Sequence, residues 1–116
     1  MKCVVLESPY AGDIEANLEY GRRCIRDSLL RGESPIASHL LYTQAGILDD
    51  NIPEERERGM SAGWAWMVKA EAIVVYEDKG ISKGMEDGVA RARSHGLPVE
   101  FRKLDKMPVK EGAYNG

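Results

Sequence analysis

The chain has 116 residues, of which 43% are apolar and 30% charged, and its formal net charge is −3. That is enough for one compact core and one site, and charges of both signs without a basic surplus argue against a nucleic-acid polymer as partner. Cys3 and Cys24 lack CxxC spacing and the only histidines are His39 and His95, so neither a disulfide framework nor a metal-ligand cluster is expected. No metal or cofactor is called for.

The apolar start, Cys3 to Leu6, is too short for a signal-peptide core or a membrane span, so a cytoplasmic location is expected. Lys2 to Glu7 reads as a short buried strand. Ser8 to Asp13 then supplies turn residues and an N-cap at Asp13. Ile14, Leu18, Gly21, Ile25 and Leu29 recur at helical intervals, and Gly32 is placed to stop that helix.

Pro35 to Leu41 reads as a second strand that begins at proline, together with the loop that leaves it. Gly46 to Asn51 is a loop. Pro53 suits a first helical turn, with Glu54 and Glu55 facing the positive end of a helix that runs to about Lys69. Ala72 to Tyr76 is an unbroken, largely β-branched run of the kind buried on both faces of a parallel sheet. After the turn Gly80 to Gly84, a helix from Met85 to about His95 ends at Gly96, and Leu97 to Arg102 gives a further strand.

Alternating strands and helices with short connections predict an α/β three-layer sandwich. Its sheet is mostly parallel, with four or five strands and helices on both faces, flavodoxin- or Rossmann-like. Residues 1–104 form one nucleotide-binding domain, and residues 105–116 a polar tail. Ligands of such sheets sit beyond the carboxyl ends of the strands, which singles out two turns: Ser8 to Asp13 and Glu77 to Glu86.

The second turn places two glycines, Ser82 and Lys83 before the free N–H groups of a helix, an arrangement suited to a phosphate or as readily to a capped turn. Glu86 falls in the first helical turn, where the helix dipole favours its ionised form. His39, after the second strand, is a candidate donor to a phosphate or base. Trp64 and Trp66 are two apart and cannot share a helix face, so one belongs to the core and the other to a pocket or contact. Arg56 reads as part of a solvated helix face, and Arg58 is kept as a candidate phosphate contact.

The stretch Gly80-Ile81-Ser82-Lys83-Gly84-Met85-Glu86-Asp87-Gly88-Val89-Ala90 resembles the S-x-G-x-E-x-G-x-A element of the nucleoside 2-deoxyribosyltransferase-like superfamily. The likeness extends to the Ala-Gly in the first turn, the Arg/Glu-containing middle helix and the tryptophan before an apolar strand. It is nearest to small phage-type and uncharacterised members. The resemblance implies that Glu86 is the nucleophile that attacks the anomeric carbon of a deoxyribosyl group, with Tyr10 as a second catalytic residue. It places Ser82 and Gly84 on the sugar 5′ end or its phosphate, with Lys83 adding positive charge. Ser8, Gly12, Asp13, His39 and Arg58 complete the candidate binding set.

Two positions differ from the family pattern: Gly63 stands where the family has an aspartate, and Pro9 occupies the usual place of the tyrosine, with Tyr10 one residue later. Asp13, Glu77 and Asp78 are replacement acids at strand ends. The implied function is N-glycosidic cleavage or exchange on a deoxynucleoside or its 5′-monophosphate. The alternative is a non-catalytic nucleotide-binding protein that senses or sequesters a nucleotide-derived signal. A homodimer or larger assembly is expected in either case.

Overall fold

The computed structural model describes residues 1–104, and the polar tail expected at 105–116 lies outside the described residues. The described residues form, in chain order, β1 (Lys2–Glu7), α1 (Ile14–Leu30), β2 (Glu33–Ile36), α2 (Ser38–Leu41), α3 (Pro53–Met67), β3 (Ala72–Tyr76), α4 (Lys83–Ser94) and β4 (Val99–Arg102). The four strands form one parallel sheet in the order β2-β1-β3-β4.

β-strand alternation sorts the core into two layers. Val4 and Leu6 of β1 pack with Val74 and Tyr76 of β3 against Tyr20 and Cys24 of α1. Val5, Ile73 and Val75 face the other way, against Met67 of α3 and Met85, Val89 and Ala92 of α4. The expected α/β/α sandwich is therefore present, with every residue of β3 buried.

The first strand and Ala72–Tyr76 have the predicted bounds; the region around Pro35 does not. Strand β2 begins two residues earlier, at Glu33, and ends at Ile36, while Ser38 to Leu41 form a short helix. Pro35 sits inside a strand that pairs only with β1 among the described residues. An edge strand tolerates the missing N–H there. His39 is accordingly a helical residue.

α4 begins earlier than predicted because Ser82 is its N-cap: Ser82 Oγ accepts from Met85 N at 3.3 Å and Met85 Sδ accepts from Ser82 N at 3.4 Å. At the end of β4, buried Arg102 donates to Glu33 Oε1 at 2.8 Å, Glu100 Oε2 at 2.8 Å and the Tyr76 hydroxyl at 3.0 Å. Ser28 Oγ also donates to Glu33 at 2.7 Å. No helix among the described residues is long and apolar enough to cross a membrane.

Candidate functional site

Two successive strands in the chain, β2 and β3, lie on either side of β1, so the crossovers leave β1 and β3 in opposite directions. α1 leaves β1 over one face and α4 leaves β3 over the other, and their divergence opens a crevice at the strand carboxyl ends. A cleft of about 260 Å³ lies there, lined from β1 and its turn by Glu7, Ser8 and Tyr10 and from α2 by Ser38 and His39. Gly63 and Trp64 of α3, Ser82 to Met85 at the start of α4 and residues of the loop between α2 and α3 add to the wall. Its size is near the lower end for small-molecule sites, roughly 300 to 1,000 Å³.

The turn after β1 is held by a residue that sequence reasoning passed over. Asn17 is buried on α1, and its Nδ2 donates to the carbonyls of Tyr10 and Ala11, both at 3.0 Å. Asp13 is the N-cap of α1, its Oδ1 accepting from Ala16 N at 3.2 Å. Gly12 has φ of 101°, a left-handed conformation that glycine adopts without strain.

Of the residues singled out from sequence, the structure brings Ser8, Tyr10, His39, Ser82, Lys83 and Gly84 to the cleft wall. Gly12 borders a neighbouring hollow formed with the Thr43–Asn51 loop, and Asp13 and Arg58 line neither space. Glu86 is exposed and is not among the lining residues. It follows buried Met85 on the helix, and a one-residue step turns a side chain about 100° away. Arg56, rather than Arg58, reaches the wall, where it pairs with Asp50 at 2.9 Å.

The replacement acids lie elsewhere: Asp78 accepts from the Tyr20 hydroxyl at 2.5 Å and from Leu104 N at 2.8 Å, and neither Glu77 nor Asp78 lines the cleft. Gly63 is buried at the α2–α3 contact, where an added Cβ would run into Ser38 Oγ. A side chain at that position requires at least the Ser38 hydroxyl to turn away. Trp64 lines the cleft and packs on the α3–α4 core, with the Arg91 guanidinium 3.6 Å from its ring centre. Trp66 is exposed and donates to the Tyr42 hydroxyl at 3.2 Å.

Two titratable groups in the cleft are strongly perturbed. Ser8 Oγ and His39 Nε2 are 2.7 Å apart, and burial pushes the imidazole down to about 4, so it is neutral at pH 7 and either donates to or accepts from the hydroxyl. The second is Glu7, the last residue of β1. Alternation points its side chain to the α4 side, where Val5 already lies in the core. An added Cβ at Gly88 would fall 2.7 Å from Glu7 Oε2, so the missing side chain of Gly88 leaves the space the carboxyl occupies.

Burial pushes the Glu7 carboxyl up to about 8. Among the described residues it takes part in no ion pair and its carboxyl oxygens in no hydrogen bond, and the half-buried side chain opens on the cleft. In the sequence Glu7 is legible only as the end of a strand. The available signal was an acidic residue at core parity after Val5, but the opposing Gly88 could be recognised only once the strand order was known.

The fold is shared with a solved 2-deoxyribosyltransferase from the psychrotolerant bacterium Bacillus psychrosaccharolyticus, at a TM-score of 0.62 and 14% identity over 93% of this chain and 77% of that one. The relationship is one of fold, and the shared architecture accounts for the cleft's position at the strand ends. A comparison with curated proteins gives no match. The family model described as Domain of unknown function (DUF7768) matches residues 2–102, and the chain belongs to that family.

Proposed function

We propose that the chain binds a nucleoside or its 5′-monophosphate in the cleft beside β1 and cleaves or exchanges the N-glycosidic bond, the sugar being a deoxyribose. The observation that carries this reading is a carboxyl group without an internal partner, set in a strand-end cleft beside a hydroxyl–imidazole pair. The similarity in fold to a 2-deoxyribosyltransferase supports the same chemistry.

Trp64, with Arg91 stacked on its ring, gives the cleft wall an aromatic surface against which a base can pack. The first N–H groups of α4, at Lys83 and Gly84, face the cleft mouth and suit the 5′ end of the sugar or its phosphate. Glu86 remains the nucleophile implied by the sequence resemblance, and from its exposed position in the first turn of α4 its side chain has to swing toward the cleft mouth to meet a sugar bound there. Self-association, with a second copy closing the mouth, belongs to the same reading, and sedimentation that stays monomeric at high concentration counts against it.

The test is a thermal-shift screen of the purified protein against nucleosides, deoxynucleoside monophosphates and cyclic or ADP-ribose-type nucleotides, with released base measured in the same samples. Binding to the folded state raises the melting temperature by mass action. A shift accompanied by base release supports the reading, a shift without release replaces it with a non-catalytic nucleotide binder, and no shift rules out both.

A further inference from the structure

We infer that Glu7 is the proton donor to the departing base: its carboxyl, lodged between the end of β1 and Gly88 and opening on the cleft, protonates a ring nitrogen as the glycosidic bond breaks. The inference rests on the proposed glycosidic chemistry and adds the group that drives departure of the base.

Three independent features place it there. Strand parity directs the side chain toward α4. Gly88 leaves the room, since the nearest approach of an added Cβ would be to the carboxyl itself. The carboxyl oxygens make no hydrogen bond or ion pair among the described residues and the residue lines the cleft, so a ligand entering it meets a free acid. The other lining carboxylates are engaged: Asp50 pairs with Arg56, and Glu55 Oε1 accepts from Asp49 N at 2.7 Å.

The proton and electron balance closes without another co-reactant. The Glu7 proton passes to the base nitrogen while the electron pair of the C1′–N bond leaves with the base and the Glu86 carboxylate bonds to C1′. Water then bonds to C1′ as the C1′–O bond to Glu86 breaks and returns its electron pair to that carboxylate, and the proton lost by the water goes to the Glu7 carboxylate. In the exchange reaction a second base takes the place of water and its N–H supplies that proton. Burial, which holds the carboxyl protonated at pH 7, suits this donor role. His39, being neutral, adds no competing charge.

Glu7→Gln preserves shape and hydrogen-bonding capacity but has no transferable proton. It is expected to lower kcat/KM for base release at least about 100-fold while the ligand-induced thermal shift persists. The wild-type pH profile provides a test that no folding defect can affect: kcat/KM is expected to fall as pH rises through about 8. The other titratable or charged groups facing the cleft are His39 from α2, Tyr10 and Tyr42 from the loops, Lys83 from α4, and the Asp50–Arg56 pair with Glu55. A profile that rises through the same range would make Glu7 a nucleophile or base and overturn the inference. So would Glu7→Gln turning over within threefold of wild type, or turnover lost in Glu86→Gln but kept in Glu7→Gln. Absence of base release by the wild type is a different result, and it removes the glycosidic reading itself.

Discussion

Glu7 and Glu33 are glutamates on adjacent strands, and their surroundings drive them in opposite directions. Glu33 receives Arg102, Ser28 and the neighbouring positive charge of Arg31, and the Arg102 hydrogen bonds hold its carboxyl below the usual range. Glu7 receives nothing comparable, and burial alone holds it above that range. A carboxyl drawn into the fold can thus be buried and satisfied there, like Glu33, or left half-buried for something outside it, like Glu7. The first kind fixes strand ends in place; the second keeps a proton at a cleft wall.

The sharpest way to break the contrast is to make Glu33 resemble Glu7. Arg102→Leu leaves Glu33 buried without its main partner and is expected to cost about 3–5 kcal/mol, read as a drop in the urea midpoint at unchanged slope. A loss below about 1 kcal/mol would mean that water or Arg31 replaces the guanidinium and that the network contributes little.

Glu7→Gln tests the other side. A carboxyl whose folded pKa lies above its unfolded value contributes stability that is fully present below the unfolded pKa. That stability is lost as pH rises through the folded pKa, here from about 4.5 toward about 8. Glu7→Gln should therefore melt about 4 °C or more above wild type at pH 9, equivalent to ~1 kcal/mol for a domain of this size, with no such advantage at pH 4. Equal melting curves at both pH values would show that the carboxyl is solvated.

The smallest effect is expected from Gly88→Ala. The new methyl must push Glu7 Oε2 aside, while alanine gains about 1 kcal/mol of helix propensity over glycine. The two should nearly cancel in stability at pH 7. The displaced carboxyl, moved toward water, should lose its elevated pKa, so the pH dependence of melting between pH 5 and pH 9 flattens relative to wild type. Unchanged pH dependence would mean that the carboxyl is not held against α4.

The sheet was largely legible in the sequence, and the site only in part. Strands that pair on both sides, β1 and β3, carry continuous apolar runs, and their predicted bounds match. Strand β2 begins with the charged Glu33 and contains Pro35, because its identity comes from the Arg102 partnership and an edge position, neither of which is a local property. The cleft's general place followed from topology rules, and Ser8, Tyr10, His39 and the Ser82 turn lie on its wall. The pairing of Glu7 with Gly88 was not legible: residues some eighty positions apart meet only because α4 crosses over the end of β1.

Trp64 gives the cleft an optical consequence. Its indole lines the cleft with a guanidinium against its ring, while Trp66, the other indole of the chain, lies exposed and hydrogen-bonded to Tyr42. Replacing Trp66 with phenylalanine leaves a single tryptophan, at the cleft wall. Occupancy of the cleft can then be followed as quenching of intrinsic emission, in real time and without a labelled ligand.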